Sequence, residues 1–150
     1  MEKMKTADER CWMLNFFWKV DMFSALSVLE MDELIDQMKK VSFQSGETIV
    51  EQGHIGDSFF IIYKGRVQAV LKKDDLKISV LGELGPEQFF GEMALLLDQP
   101  RSATIIAKEN TDCFVLLKSE FQYLTRHNPT FSKLVLDASE QRSLKINQKS

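Results

Sequence analysis

A glycine, a carboxylate and an arginine that lie close together form the part of this sequence best suited to chemistry. Gly91 has no Cβ, so the chain can adopt a positive φ there and bring its amides against a ligand. Glu92 carries a carboxylate that only accepts hydrogen bonds when ionised, which suits a pair of ribose hydroxyls. Arg101 carries a planar, permanently charged guanidinium that suits phosphate oxygens. Together they predict a site for one ligand that displays both sugar hydroxyls and a phosphate.

The segment between the carboxylate and the arginine also favours anion binding. Residues 92–97 have the pattern of one or two helical turns, and Pro100 ends that short helix directly before Arg101. The first N–H groups of a helix have no partner within the helix and attract anions. We therefore expect backbone amides to complete the site.

The elements that position this site are predicted to be short strands between helical ends. All seven glycines fall between Gly46 and Gly91, which indicates a turn-rich β centre. Short strands with turns between them are typical of a barrel or jelly roll. The predicted strands are Thr48–Val50, Ser58–Tyr63, Arg66–Leu71, Lys77–Leu81, Ser102–Ala107 and Cys113–Leu117. Hairpin turns are predicted at Lys64-Gly65 and Asp74-Asp75.

Helices are predicted on both sides of this centre. Ser27 with Glu30 forms a capping-box pattern before the apolar residues Leu34, Ile35 and Met38. Ser119 with Gln122 forms a second such pattern, and that helix is interrupted at Asn128-Pro129. A further helix is predicted from the apolar spacing of Phe131, Leu134, Val135 and Ala138.

The stretch Cys11–Trp18 is apolar on every side except at Asn15. A helix of that composition on the surface of a lone domain would expose a large apolar patch. Two interpretations stay open, one in which the stretch folds onto the β centre and one in which part of it docks on a partner or a second copy of the chain.

Composition limits the function. The net charge of −3 offers no basic face for a nucleic acid, and no stretch approaches the roughly 18 apolar residues of a membrane span. No signal peptide opens the chain, and two cysteines, of which Cys113 is expected in the core, fit a reduced cytoplasmic protein. His54 and His127 lack the spacing of metal ligands, and no nucleophile setting is visible, so neither a metal site nor an enzyme is expected.

The ordered blocks of the sequence resemble the cyclic nucleotide-binding domains of cAMP-dependent kinase regulatory subunits, cyclic-nucleotide-gated channels and bacterial cAMP receptors. The resemblance rests on residues 46–53 (GETIVEQG), residues 56–65 (GDSFFIIYKG), Phe90-Gly91-Glu92, and Pro100-Arg101-Ser102-Ala103-Thr104. It covers roughly residues 20 to 140. It implies an α+β fold, an antiparallel β-roll with N-terminal helices and a C-terminal helical pair that acts as a lid. We expect one domain: a helical segment 1–45, a β-roll 46–117 that contains a phosphate-binding cassette 90–104, and C-terminal helices 118–150.

The resemblance also implies roles for individual residues. Glu92 would accept from the ribose 2′-hydroxyl and Arg101 would bind the phosphate, with help from the backbone N–H groups of Met93, Ala94 and Ser102. Ala103 belongs to the same cassette. Leu84, with Val67 and Ala69, could form an apolar wall for the purine or could simply belong to the core. Residues 136–142 are lid candidates. Many cGMP-preferring members carry threonine at the position of Ser102, so serine favours cAMP.

We therefore expect a regulatory sensor domain that binds a 3′,5′-cyclic nucleotide, cAMP over cGMP, without a metal. Its C-terminal helices would report binding to an effector, which the sequence does not identify as a kinase, channel or transporter. One alternative is a relative of the bacterial cAMP-receptor transcription regulators, but no helix-turn-helix is expected before Ser150. Another is a docking domain that has lost ligand binding, and a homodimer through the N-terminal apolar segment is an open possibility.

Overall fold

Two antiparallel sheets, with helices before and after them in the chain, make up the computed structural model of this protein. The structure describes residues 5–74, 77–91 and 100–137. The helices are α1 (Ala7–Lys19), α2 (Asp21–Ser24), α3 (Val28–Gln37), α4 (Lys118–His127) and α5, described over residues 129–137. The strands are β1 (Lys39–Phe43), β2 (Thr48–Val50), β3 (Ser58–Lys64), β4 (Val67–Asp74), β5 (Lys77–Leu84), β6 (Phe89–Phe90), β7 (Thr104–Ala107) and β8 (Thr111–Leu117).

The strand order explains how the two sheets enclose a core. One sheet has the order β1-β8-β3-β6 and the other β2-β7-β4-β5, and every pair is antiparallel. A cluster of apolar side chains from both sheets fills the space between them, namely Phe60, Ile62, Val67, Phe90, Ile105, Cys113 and Val115. The α+β fold with an antiparallel β-roll is thereby confirmed.

A second and larger core joins the helices to the outer face of the first sheet. It contains Phe16 and Phe17 of α1, Phe59 of β3, Phe121 of α4 and Phe131 of α5, each at most 1% exposed. Aromatic rings are bulky and gain further from offset or edge-on contact. This core therefore fixes the helices from both chain ends on one sheet.

The apolar stretch of α1 mostly folds onto this core. Met13, Phe16 and Phe17 are buried, and the Trp12 ring contacts Tyr63 edge-on at 4.9 Å. Trp18 is 59% exposed. The interpretation in which the segment packs on the β centre accounts for these buried residues. The exposed Trp18 is the large apolar residue of this stretch that a partner could contact.

Several predicted helix ends are confirmed and one is corrected. The Ser27–Glu30 capping box opens α3, and Asn128 Oδ1 accepts from the N–H of Phe131 where α5 follows α4. The predicted start at Ser119 is wrong, since α4 begins at Lys118. Glu120 Oε2 there accepts from the N–H of Leu117 at 3.2 Å, so a glutamate satisfies the helix start.

Two strands were not predicted. The segment 1–45 was predicted to be helical, but residues 39–43 form β1, which pairs with β8. Four of its five side chains are exposed, so burial does not drive this strand; the main-chain ladder with β8 does. The short strand β6 was missed as well, because two phenylalanines alone carry no strand period.

The reversal at Lys64-Gly65 is real, but it is not a hairpin. The strands on either side of it, β3 and β4, lie in different sheets, so the chain crosses from one sheet to the other. At the other predicted turn β4 and β5 do pair, with Asp74 opposite Lys77; residues 75–76 lie outside the described residues. Within the described ranges, no helix is long and apolar enough to cross a membrane.

Candidate functional site

Gly91 lies at the end of β6 in a conformation that other residues rarely adopt. Its φ is +99°, within the left-handed region that costs an L-amino acid energy. A Cβ placed there would lie 2.6 Å from Nη1 of Arg101 and 2.8 Å from the carbonyl oxygen of Ser58. Both the backbone angle and the lack of space therefore require glycine at this position.

The Arg101 guanidinium lies inside the protein against main-chain oxygens. Arg101 is 7% exposed, and its Nη2 donates to the carbonyl of Ser58 at 2.7 Å. Its Nη1 donates to the carbonyl of Gly91 at 3.2 Å. The predicted proximity of Gly91 and Arg101 is thus observed. A buried guanidinium is a favourable place for an anion, because charge-assisted hydrogen bonds are stronger than neutral ones.

The main chain of Arg101 is fixed by a tight turn between β2 and β3. The turn runs from Glu51 to His54, and the N–H of His54 donates to the carbonyl of Glu51 at 3.1 Å. Gly53 donates to the carbonyl of Arg101 at 2.9 Å, and the N–H of Arg101 donates to the carbonyl of His54 at 2.8 Å. Two reciprocal bonds therefore hold Arg101 at the edge of this turn.

A cleft of about 410 Å³ opens onto Arg101. Pockets that bind small organic ligands have volumes of about this size. It is lined by Thr48, Ile49, Val50, Glu51, His54, Ile55, Asp57 and Arg101. Apolar residues of β2 lie in this lining beside one basic residue, Arg101, and two acidic residues, Glu51 and Asp57, so a ligand there would meet both kinds of charge.

The other predicted site residues take different positions. Ser102 is exposed and Ala103 half-buried on the segment that leads into β7. Leu84 and Ala69 are partly buried and pack against the core between the sheets, to which Val67 itself belongs. These three residues pack in or against the core and are not among the residues that line the cleft, so their role as a wall for the purine stays a prediction.

Several predicted residues fall outside the described ranges. Glu92, Met93 and Ala94 are in this group, and so are lid candidates 138–142. Of the remaining lid candidates, Leu136 is 40% exposed on α5. Among the residues that the structure does describe, no group of three His, Cys, Asp or Glu side chains is placed to hold a metal ion.

Sequence reasoning missed the residues that hold Arg101. The carbonyl of Ser58 and the turn Glu51–His54 were not counted as part of the site. The blocks at residues 46–53 and 56–65 signalled this region, since both are rich in turn-forming glycines. Any residue type can supply a main-chain carbonyl, so the glycines predict a turn but not the group that the turn contacts.

Comparison with known proteins places this geometry in a family. Residues 40–128, more than half of the chain, match the model of the cyclic nucleotide-binding domain. The cAMP-dependent protein kinase regulatory subunit of Dictyostelium discoideum is 39% identical over 113 residues, which cover 73% of this chain and 35% of the relative. The chain thus spans about a third of that curated relative.

Two solved structures have the same fold. The regulatory domain of Toxoplasma gondii PKA, co-crystallised with cAMP, has a TM-score of 0.75 at 25% identity, covering 89% of this chain and 51% of that one. The catabolite activator protein of Thermus thermophilus has a TM-score of 0.74 at 25% identity, covering 85% of this chain and 60% of that one. With the family match over residues 40–128, the chain belongs to the cyclic nucleotide-binding domain family.

Proposed function

We propose that this chain binds a 3′,5′-cyclic nucleotide, with cAMP preferred over cGMP, and acts as a regulatory sensor rather than as an enzyme. Arg101 would bind the cyclic phosphate and Glu92 the ribose 2′-hydroxyl. The amides of Met93, Ala94 and Ser102 would surround the phosphate, with Gly91 and Ala103 giving the room for it. No metal takes part in this proposal.

The observation that carries the proposal is the buried Arg101 guanidinium beside Gly91. Its hydrogen bonds to the carbonyls of Ser58 and Gly91 hold the guanidinium in place before a ligand arrives. An ionised phosphate is a stronger acceptor than a carbonyl, so the guanidinium would turn toward it. The planar fork allows two parallel bonds to phosphate oxygens, which lysine cannot form.

The preference for cAMP rests on Ser102 and on the names of two relatives. Ser102 directly follows the phosphate-binding arginine, and the family resemblance associates threonine at this place with cGMP. The Dictyostelium relative is named as a cAMP-dependent regulatory subunit, and the Toxoplasma neighbour was crystallised with cAMP. Both names agree with cAMP as the ligand of this chain.

Contacts at the start of β3 suggest how binding would reach the C-terminal helices. Ser58, whose carbonyl accepts from Arg101, follows Asp57, whose carbonyl accepts from the N–H of Lys118 at the start of α4. The next residue, Phe59, stacks on Phe121 of α4 with ring centroids 5.6 Å apart. If the phosphate draws Arg101 away from Ser58, this short segment and α4 would shift together. A ligand changes such an equilibrium only by its different affinity for the two states.

The remaining parts of the proposal concern context. We expect one domain over residues 1–150 that works in the cytoplasm and reports to an effector protein or domain. The named relatives are a kinase regulatory subunit and a catabolite activator protein, so the comparisons leave the class of effector open. Self-association through the N-terminal segment would use the exposed Trp18.

Parallel calorimetric titrations with cAMP and cGMP test the proposal. Wild type should bind both, and cAMP more tightly. Removing one partner of a buried, hydrogen-bonded charge pair costs about 2–5 kcal/mol. Arg101→Ala should therefore weaken cAMP binding about 30-fold or more, since about 1.4 kcal/mol is tenfold. Arg66→Ala is the matched control, because it removes the same charge from a side chain that is 52% exposed.

Two results would contradict the proposal. If folded wild type binds neither nucleotide, the alternative of a docking domain without ligand takes its place. If Arg101→Ala binds cAMP as tightly as Arg66→Ala does, the phosphate is not held by Arg101.

A further inference from the structure

We propose that Gln52 is a positioning residue for Arg101, and this inference rests on the proposed role of Arg101 in phosphate binding. Gln52 is the second residue of the turn Glu51–His54. The side-chain amide of Gln52 forms its hydrogen bonds with Lys72, not with Arg101. It acts instead by attaching the turn to β4, and this turn holds the main chain of Arg101.

The Gln52 side-chain amide pairs with the main chain of a strand. Its Oε1 accepts from the N–H of Lys72 at 2.8 Å, and its Nε2 donates to the carbonyl of Lys72 at 3.1 Å. One primary amide thus satisfies both main-chain groups of a single residue. A neighbouring strand would make the same two bonds.

The position of this pair explains why a side chain is used. The ladder between β4 and β7 ends at Val70 opposite Thr104, and Lys72 lies two residues further along β4. The main-chain N–H of Gln52 donates to Oγ1 of Thr104 at 3.0 Å. Gln52 therefore continues the sheet beyond the last β4–β7 pair. At that level the chain has not yet entered β7 and is still the segment that carries Arg101 and Ser102.

The turn then transfers this attachment to Arg101. Gly53, at the third position of the turn, has a φ of +89°, which glycine adopts without steric cost. On one side of it Gln52 is bound to β4 and to Thr104, and on the other side His54 and Gly53 itself exchange bonds with the main chain of Arg101. A turn held at both ends has little freedom to shift, so Arg101 keeps its place below the cleft.

Placement matters here because the guanidinium must reach a phosphate from a fixed Cα. Hydrogen bonds form over donor–acceptor distances of about 2.7–3.2 Å and weaken steeply when misaligned, so a displaced guanidinium would lose its bonds to the phosphate. Loss of the Gln52 amide leaves the Lys72 N–H and C=O to water and frees the turn. Arg101 would then sample positions from which its carbonyl partners and the phosphate are out of reach.

The first test needs no ligand. Hydrogen exchange at the Arg101 and Gly53 amides reports directly on the bonds between the turn and Arg101. In Gln52→Ala these two amides should exchange about tenfold faster, as expected for the loss of a net hydrogen-bond contribution. The Gly46 amide, which donates to the carbonyl of Ala107, should keep its rate. Ser45→Ala is the control variant, because Ser45 Oγ donates to a main-chain carbonyl, that of Lys108, at another turn.

The second test asks whether Gln52 acts through Arg101. As a single substitution, Gln52→Ala should weaken cAMP binding about tenfold. Added to Arg101→Ala, it should cause no further loss, and a double-mutant cycle measures this difference. Gln52→Glu keeps the acceptor for Lys72 but sets a second oxygen against its carbonyl, so its affinity should also fall. If Gln52→Ala does not fold, Gln52→Glu takes its place in the binding test.

The outcomes separate the two proposals. Unchanged exchange at the Arg101 and Gly53 amides overturns the positioning role, whether or not cAMP binds. Equal losses from Gln52→Ala with and without Arg101 overturn it too, because Gln52 then acts by another route. If the exchange rates rise as expected while wild type binds no cyclic nucleotide, the proposed function fails and the placement of Arg101 by Gln52 stands.

Discussion

The main chain of Gly91 and the guanidinium of Arg101 are so close that no side chain fits between them. Nη1 of Arg101 donates to the carbonyl of Gly91 at 3.2 Å and would lie 2.6 Å from a Cβ on the same residue. The glycine and the arginine thus depend on one another. A change at position 91 displaces the cation as well as the backbone.

Gly91→Ala should destabilise the protein and weaken cAMP binding together. A residue with a Cβ at positive φ costs about 1–3 kcal/mol, and the contact with Arg101 adds to that cost. Urea unfolding and calorimetry measure the two effects. Gly46→Ala is the matched control, because Gly46 has a similar φ of +92° and nothing within 4 Å of an added Cβ. Equal losses of stability in the two variants would show that Arg101 does not crowd Gly91.

Ser102→Thr should shift the nucleotide preference toward cGMP. Ser102 is exposed and directly follows Arg101, so an added methyl group fits without disturbing the core. Serine and threonine carry the same hydroxyl, but the β-branched methyl of threonine restricts the rotamer in which that hydroxyl is presented. If the restricted rotamer favours a bond to one base, that bond contributes about 0.5–1.5 kcal/mol and the ratio of the two affinities should change by a factor of about 2 to 10. The ratio comes from paired titrations, with Ser102→Ala as the variant that removes the hydroxyl. A ratio that is the same in all three proteins would remove Ser102 from the contacts with the base.

The sequence predicted those parts of the fold and the site that side-chain identity encodes. Strand β2 has the predicted bounds, Thr48–Val50, because a β-branched run lies between turn residues there. Gly91 and Arg101 were predicted from their residue types to serve one ligand site, but the hydrogen bond between the guanidinium and the Gly91 carbonyl was not predicted. Strand propensity, a missing Cβ and a permanent charge are properties of residue type, so a sequence reveals them.

What the sequence did not predict depends on the main chain or on distant partners. The carbonyl of Ser58 holds Arg101 across 43 positions in sequence, yet any residue could supply that carbonyl. Strand β1 has little buried surface and owes its conformation to the ladder with β8. At Lys64-Gly65 the sequence marked a reversal, but whether the next strand pairs or crosses to another sheet is decided by the packing of the whole roll.

Cys113 should resist thiol reagents until the protein unfolds, whereas Cys11 should react in the native state. Burial raises the pKa of the Cys113 thiol to about 12, and nearby Asp112 adds to the effect. The nucleophile is the thiolate, so a thiol with that pKa is inert near neutral pH. Cys11 is exposed on α1. Mass spectrometry after labelling should find the modification at Cys11 in native protein and at both cysteines in urea; native labelling of Cys113 would contradict its burial.

Protonation of Glu9 should lower the free energy of unfolding in acid. Its carboxylate lies 2.9 Å from Nζ of Lys40 on β1 and accepts from the N–H of Thr6 at the start of α1. The hydrogen bond from Lys40, followed by that from Thr6, holds the pKa of Glu9 below its ordinary value of 4.5. A carboxylate whose folded pKa is lowered contributes stability above its unfolded pKa and loses it as the pH falls through the folded pKa.

The free energy of unfolding should therefore decline as the pH falls below 4.5, and less steeply in Glu9→Gln. Urea titrations across this range measure both slopes. Lys40→Gln removes the main cause of the lowered pKa, so its slope should fall between those of wild type and Glu9→Gln, because the bond from Thr6 remains. If Glu9→Gln and wild type lose stability in parallel, Glu9 is not the group that titrates, and the link between α1 and β1 does not depend on its charge.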